Sequence, residues 1–126
     1  MMANGLATVR DIHETWAWVV IIGNALAGLW ALAANWVPAV RGRALWWFIG
    51  AAQMAVVVQA FLGAIMVGKY KVPLPQFHAF YGFFAIITIA IIYSYRFQMK
   101  HRLYLLYGFG SLFVMGLGIR AMVLHS

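Results

Sequence analysis

The sequence predicts an all-α membrane protein with four transmembrane helices in an up-down bundle. The chain has 126 residues, of which 66% are hydrophobic and only 9% are charged, whereas soluble domains are about 45–50% apolar and about 25% charged. The apolar residues form four long runs, and a helix of roughly 20 such residues crosses a bilayer. Because these runs leave only termini and short connections, residues 1–126 are expected to form a single transmembrane domain.

Each of the four apolar runs is expected to be one transmembrane helix. The expected spans are 15–34, 44–68, 77–95 and 102–124. Between the first two spans, Pro38 and Gly42 indicate a turn. Before the third span, Pro73 and Pro75 end one helix and begin the next. Transmembrane β-strands are excluded because their residues would alternate between polar and apolar.

The net charge of +7 indicates membrane topology rather than nucleic-acid binding, because the basic residues are scattered at the ends of the apolar runs. One face is expected to carry Arg41, Arg43, Arg96, Lys100 and Arg102, and the other Arg10, Lys69 and Lys71 with both acidic residues. Cytoplasmic connections are enriched in Lys and Arg. The first and third connections are therefore expected in the cytoplasm, and both termini on the non-cytoplasmic side of a prokaryotic plasma membrane.

A short pattern recurs at residues 13–18 and 78–83. In both segments a histidine is followed by two residues, a large aromatic residue, a small residue and another aromatic residue. A shorter match links the ends of the second and fourth spans. The pattern predicts a tandem repeat of two helical hairpins, which would place His13 and His78 on the same membrane face.

The recurring histidines make a haem site one interpretation of the repeat. Ala17 and Gly82 follow His13 and His78 by four residues, so each small residue lies one turn away on the same helical face and leaves space for a flat macrocycle. The arrangement resembles in outline the four-helix membrane cytochromes of b type, in which histidines from different helices ligate haem. The resemblance implies that both histidines are haem-iron ligands, with Ala17 and Gly82 beside the cofactor. Against it, both histidines are expected at the water interface, where histidines are commonly solvated.

Further polar residues are expected on the face that carries the two histidines. They are Asp11, Glu14, Arg120 and His125. Arg120 is the formally charged residue that lies clearly inside an apolar run, and intramembrane charges mark functional sites by default. We expect an ion pair from Arg120 to Glu14 or Asp11 that fixes the fourth helix to the start of the first. The alternative is that Arg120 binds an anionic headgroup, a quinone or a substrate.

The remaining polar residues and the glycines within the spans predict helix packing. Asn24, Gln53, Gln59, Thr88 and Ser111 are expected to form hydrogen bonds between helices, and the glycines to let helix backbones approach closely. No span carries an aspartate, glutamate or lysine near its centre, which argues against a pump, carrier or channel. The sequence also has no cysteine and no recognisable catalytic motif, so an enzyme is not expected.

Two function classes remain. The first is a non-catalytic accessory, stabilising or assembly subunit of a larger membrane complex, such as a respiratory or redox complex, or of a homo-oligomer. Its partners would be the lipid bilayer and other membrane subunits or further copies of the chain. The second is an electron-transfer membrane subunit that binds b-type haem or interacts with quinone, with His13 and His78 as the ligands.

Overall fold

The computed structural model describes the backbone of residues 2–73 and 76–125 and the side chains of residues 5–73 and 77–124. Within these residues every regular element is helical. The long helices are α1 (Met2–Trp36), α2 (Arg43–Gly68), α3 (Gln76–Ser94) and α4 (Leu103–His125), and short 3-10 turns at Pro38–Val40 and Lys100–Arg102 precede α2 and α4. All four long helices are long and apolar enough to cross a membrane, as predicted.

Helix α1 has 35 residues and begins at Met2, thirteen residues before the expected first span. The span was expected to begin after Arg10, Asp11 and Glu14 because charged residues are unfavourable in a bilayer. Charged side chains do not break a helix, however, and these three remain exposed while the backbone continues its regular hydrogen bonding. His13 consequently lies about three turns, or about 16 Å, inside α1.

Helices α1 and α2 are connected by hydrogen bonds from polar side chains of α1 to the backbone of α2. The Trp16 Nε1–H group donates to the carbonyl oxygen of Ala55 at 2.8 Å. The buried Asn24 amide donates to the carbonyl oxygen of Ala52 at 3.3 Å. From Trp16 to Asn24 along α1, the contacted residue of α2 changes from Ala55 back to Ala52. Asn24 thus forms the expected hydrogen bond between helices.

Helix α4 packs against α1 through two glycines. A Cβ atom added to Gly28 would lie 2.9 Å from the carbonyl oxygen of Gly108, and one added to Gly108 would lie 3.1 Å from the backbone nitrogen of Leu32. Either distance is shorter than nearly all real Cβ contacts, so the two helix backbones touch at this point. Close approach at glycines is the packing role that the sequence predicts for them.

Helices α2 and α3 contact each other far less than α1 contacts α2 or α4 contacts α3. Helix α1 packs extensively against both α2 and α4, while α3 packs mainly against α4. A core of buried side chains fills the centre of the bundle, including Val20, Val56, Ala85 and Val114. Toward the end of the bundle that carries His13 and His78, the separation of α2 from α3 leaves an internal space.

Candidate functional site

The structure brings the two predicted histidines together. The ring centroids of His13, on α1, and His78, on α3, lie 6.0 Å apart, and the ring planes cross at 71°. His13 is only 7% exposed, and His78 is half-buried. His13 and His78, which the sequence analysis singled out, are therefore neighbouring imidazoles in the structure.

The ring of His78 is oriented by the backbone of α4. Its Nδ1 atom lies 2.7 Å from the carbonyl oxygen of Ala121. Because a carbonyl oxygen can only accept a hydrogen bond, Nδ1 must carry the proton, and the lone pair of the neutral ring is then on Nε2. Metal-binding histidines characteristically donate their second ring N–H in this way, which fixes the tautomer and the ring orientation.

Two residues one turn apart on α2 position His13. The Gln59 amide donates a hydrogen bond to the backbone carbonyl oxygen of His13 at 2.8 Å. A Cβ atom added to Gly63 would lie 3.4 Å from Cε1 of the His13 ring, so the imidazole packs close to α2 at this glycine. The sequence predicts packing roles for Gln59 and Gly63 but does not connect either residue to His13. Gln59 and Gly63 are four residues apart and so lie on one face of α2. This spacing is the sequence feature from which their shared role could have been predicted.

A cavity of about 870 Å³ lies beside the two histidines and is lined by all four helices. Ligand-binding cavities typically have volumes of about 300–1,000 Å³ and mostly apolar walls. Much of this wall consists of small residues, among them Ala17, Ala60, Gly63, Gly82, Ala85 and Gly118. Both small residues that the sequence analysis placed beside the histidines, Ala17 and Gly82, therefore line the cavity.

The two ends of the cavity differ in character. Along α2 its wall extends from Val56 to Gly68, which corresponds to about 18 Å at about 1.5 Å per residue. At the deep end the wall is formed by apolar side chains such as Val20, Val56 and Leu117. At the other end, which we call the linker end, the wall is formed by Gly68, Val72 and Pro73, where α2 leads into the connection to α3.

The predicted polar cluster lies only partly at the cavity. Glu14 is exposed and contributes to the cavity wall, whereas Asp11 is exposed outside it. The guanidinium group of Arg120 lies over the ring of Tyr81, 5.9 Å from its centroid, and so contacts α3. The expected ion pair from Arg120 to Glu14 or Asp11 stays a prediction. The side chain of His125 lies outside the described part of the structure.

Two imidazoles are the candidate metal ligands at this site. Among residues 5–73 and 77–124, no group of three or more histidine, aspartate or glutamate side chains is arranged to hold a metal ion. Two protein ligands suffice where a cofactor ring supplies the other donors, as in haem proteins with axial histidines. His13 and His78 are residues that could hold a cofactor needing two protein ligands.

The chain matches no protein-family model, no curated protein and no solved structure. Its function is therefore inferred from the geometry of His13, His78 and the cavity beside them.

Proposed function

We propose that this chain is a membrane electron-transfer protein that binds b-type haem through His13 and His78. The observation that carries the proposal is the 6.0 Å separation of the two ring centroids. A metal ion lies about 2 Å from the imidazole nitrogen that binds it. His13 and His78 are close enough that both would be able to hold the iron of one haem.

The surroundings of the histidines support the same proposal. The hydrogen bond to the carbonyl oxygen of Ala121 fixes the tautomer and the orientation of the His78 ring, as the second ring nitrogen of metal-binding histidines commonly does. Ala17 and Gly82 contribute small surfaces to the cavity wall, against which a flat ring could pack. A bound haem would supply one-electron redox chemistry. The chain itself would hold both imidazoles in place and keep water away with an apolar wall.

The burial of His13 answers the main objection from the sequence. An interfacial histidine would be solvated, but the side chain of His13 is only 7% exposed. Its imidazole is therefore buried within the bundle.

The absorption spectrum of the purified protein tests the proposal. The full chain is produced in cells supplied with haem, purified in a mild detergent, and measured in its oxidised and chemically reduced forms. We expect a Soret band and, on reduction, the sharp visible bands of a six-coordinate low-spin haem. Helical protein that shows no Soret band under these conditions would exclude haem binding.

A second candidate function is that of an accessory or assembly subunit, and the exposed face of α3 favours it. Phe77, Phe80 and Phe83 follow one another at three-residue spacing and are 58%, 55% and 68% exposed. A row of aromatic side chains can be covered by lipid or by a neighbouring subunit. Mass measurement of natively purified protein separates these cases, because a species that is solely monomeric in mild detergent argues against a subunit role.

We also propose that the helices form an up-down bundle of two repeated hairpins, with both termini on the non-cytoplasmic side. The reversed order of the contacts between α1 and α2 supports opposite directions for these helices. The juxtaposition of His13 and His78 supports equivalent positions for α1 and α3 in the two halves.

Single-cysteine labelling tests this topology cleanly, because the chain has no cysteine of its own. In intact cells, Arg10→Cys and Lys71→Cys are expected to react with a maleimide that cannot cross the membrane. Arg43→Cys and Lys100→Cys are expected to react only after the membrane is opened. The opposite pattern would reverse the orientation, and labelling of positions 10 and 71 from different sides would contradict the up-down arrangement.

A further inference from the structure

We propose that the linker end of the cavity is an anion-binding rim, formed by Lys69, Lys71 and Arg120, that receives the two propionate carboxylates of the haem. This inference rests on the proposed haem function and adds to it the direction in which the cofactor is bound. It follows from the difference between the two ends of the cavity and from the positions of the basic residues.

The deep end of the cavity cannot accept a carboxylate. Val20, Val56, Ala85 and Leu117 form this part of the wall, and each is at most 8% exposed. Placing an ionised carboxylate among apolar side chains without a hydrogen-bonding partner is strongly unfavourable. A ligand with both carboxylates on one edge must therefore point that edge toward the linker end.

The α2–α3 connection places two lysines at the linker end. Gly68, Val72 and Pro73 line the cavity, and Lys69 and Lys71 lie between Gly68 and Val72 along the chain. Both lysine side chains are exposed. Their ammonium groups can therefore remain hydrated while standing beside the mouth of an apolar cavity.

This connection is held against the bundle at two points. The backbone N–H group of Val72 donates to the carbonyl oxygen of Met66, at 3.0 Å, and so returns the chain to the end of α2. The hydroxyl group of Tyr70 lies 2.5 Å from the position that a Cβ atom of Gly5 would occupy, so the Tyr70 ring packs directly on α1. The backbone that carries the two lysines is thereby held against the end of α2 and against α1.

The backbone of Lys71 is in an unusual conformation. Its φ angle of 56° lies in the left-handed region, which residues other than glycine, asparagine and aspartate rarely adopt. Strained backbone of this kind is found preferentially at functional sites. A lysine at this position is consistent with a requirement for its charge.

Arg120, which is exposed on α4, places a third cation next to residues that line the cavity. Its guanidinium group lies over the ring of Tyr81, and Tyr81, Ala121 and Met122 all line the cavity. Since Glu14 lines the cavity on α1, the carboxylates would lie nearer to the linker and α4.

The rim is tested by comparing haemin with haemin dimethyl ester, in which both propionates are uncharged. The full chain, freed of haem, is titrated with each ligand and the Soret band is followed. The rim variant is Lys69→Gln with Lys71→Asn, since asparagine tolerates the left-handed backbone. The matched control, Lys100→Gln with Arg102→Gln, removes two charges elsewhere in the chain. Arg120→Gln is measured separately.

We expect the wild type to bind haemin more tightly than the ester. The double rim variant should weaken haemin binding about three- to tenfold, the size expected for partly exposed ion pairs, and leave binding of the ester unchanged. Equal weakening for both ligands, or equal weakening in the control variant, would overturn the rim. Absence of a six-coordinate spectrum in the wild type would instead overturn haem ligation, and the rim together with it.

Discussion

Replacing His78 with alanine is expected to abolish the six-coordinate low-spin haem spectrum. The substitution removes one of two imidazoles whose centroids lie 6.0 Å apart, and among the described residues no third metal-binding side chain completes a cluster that could substitute for it. Any haem that remains bound through His13 should be five-coordinate and high-spin. Absorption and electron paramagnetic resonance spectra of the purified variant measure this change.

His101 provides the matched control for this substitution. It is exposed in the short turn Lys100–Arg102, so His101→Ala is expected to retain the wild-type spectrum. Added imidazole provides a second check, because it can occupy the space left by the missing ring and restore six-coordinate haem in His78→Ala. An unchanged spectrum in His78→Ala would show that His78 is not a ligand.

Replacing Gly28 with valine is expected to separate α1 from α4 and destabilise the protein. A Cβ atom at this position would lie 2.7 Å from the Leu112 side chain and 2.9 Å from the carbonyl oxygen of Gly108. A side chain can change its rotamer, but the backbone oxygen can move only if the helix moves. Overpacking a tight contact costs about 1–3 kcal/mol, and we expect a loss near the upper end of this range. Denaturation in detergent, followed by circular dichroism, measures it.

Gly116→Val is the matched control for Gly28→Val. Gly116 lies on α4, and a Cβ atom added there would meet nothing within 4 Å. The same change of side chain should therefore alter the free energy of unfolding by less than about 0.5 kcal/mol. Equal destabilisation by the two substitutions would mean that the close contact between α1 and α4 does not limit packing.

The helices and the histidines could be predicted from the sequence because each leaves a local signal. Long apolar runs predict the four helices, and the recurring pattern singles out His13 and His78, whose ring centroids lie 6.0 Å apart in the structure. The position of His13 well inside α1 could not be predicted, because the charged residues Arg10 and Glu14 suggest that the helix begins after them. Hydropathy shows which part of a helix is apolar, whereas backbone hydrogen bonding decides where the helix begins and ends.

The immediate partners of the histidines could not be predicted. The groups that contact them include the carbonyl oxygen of Ala121 and the amide of Gln59. Every residue has a carbonyl oxygen, so no side-chain pattern marks the one that accepts a hydrogen bond from His78. The left-handed backbone of Lys71 could not be predicted either, because this conformation is usually found at glycine or asparagine.

The one-sided support of α3 has a consequence for how the protein matures. This helix is held mainly by α4 and has little contact with α2, so it is the element expected to open first in local unfolding. Coordination of His13 and His78 to one haem would tie α3 to α1 as well. Because a ligand stabilises the state that binds it, cofactor insertion would complete the folding of the second hairpin, and chains that lack haem would be the ones open to proteolysis.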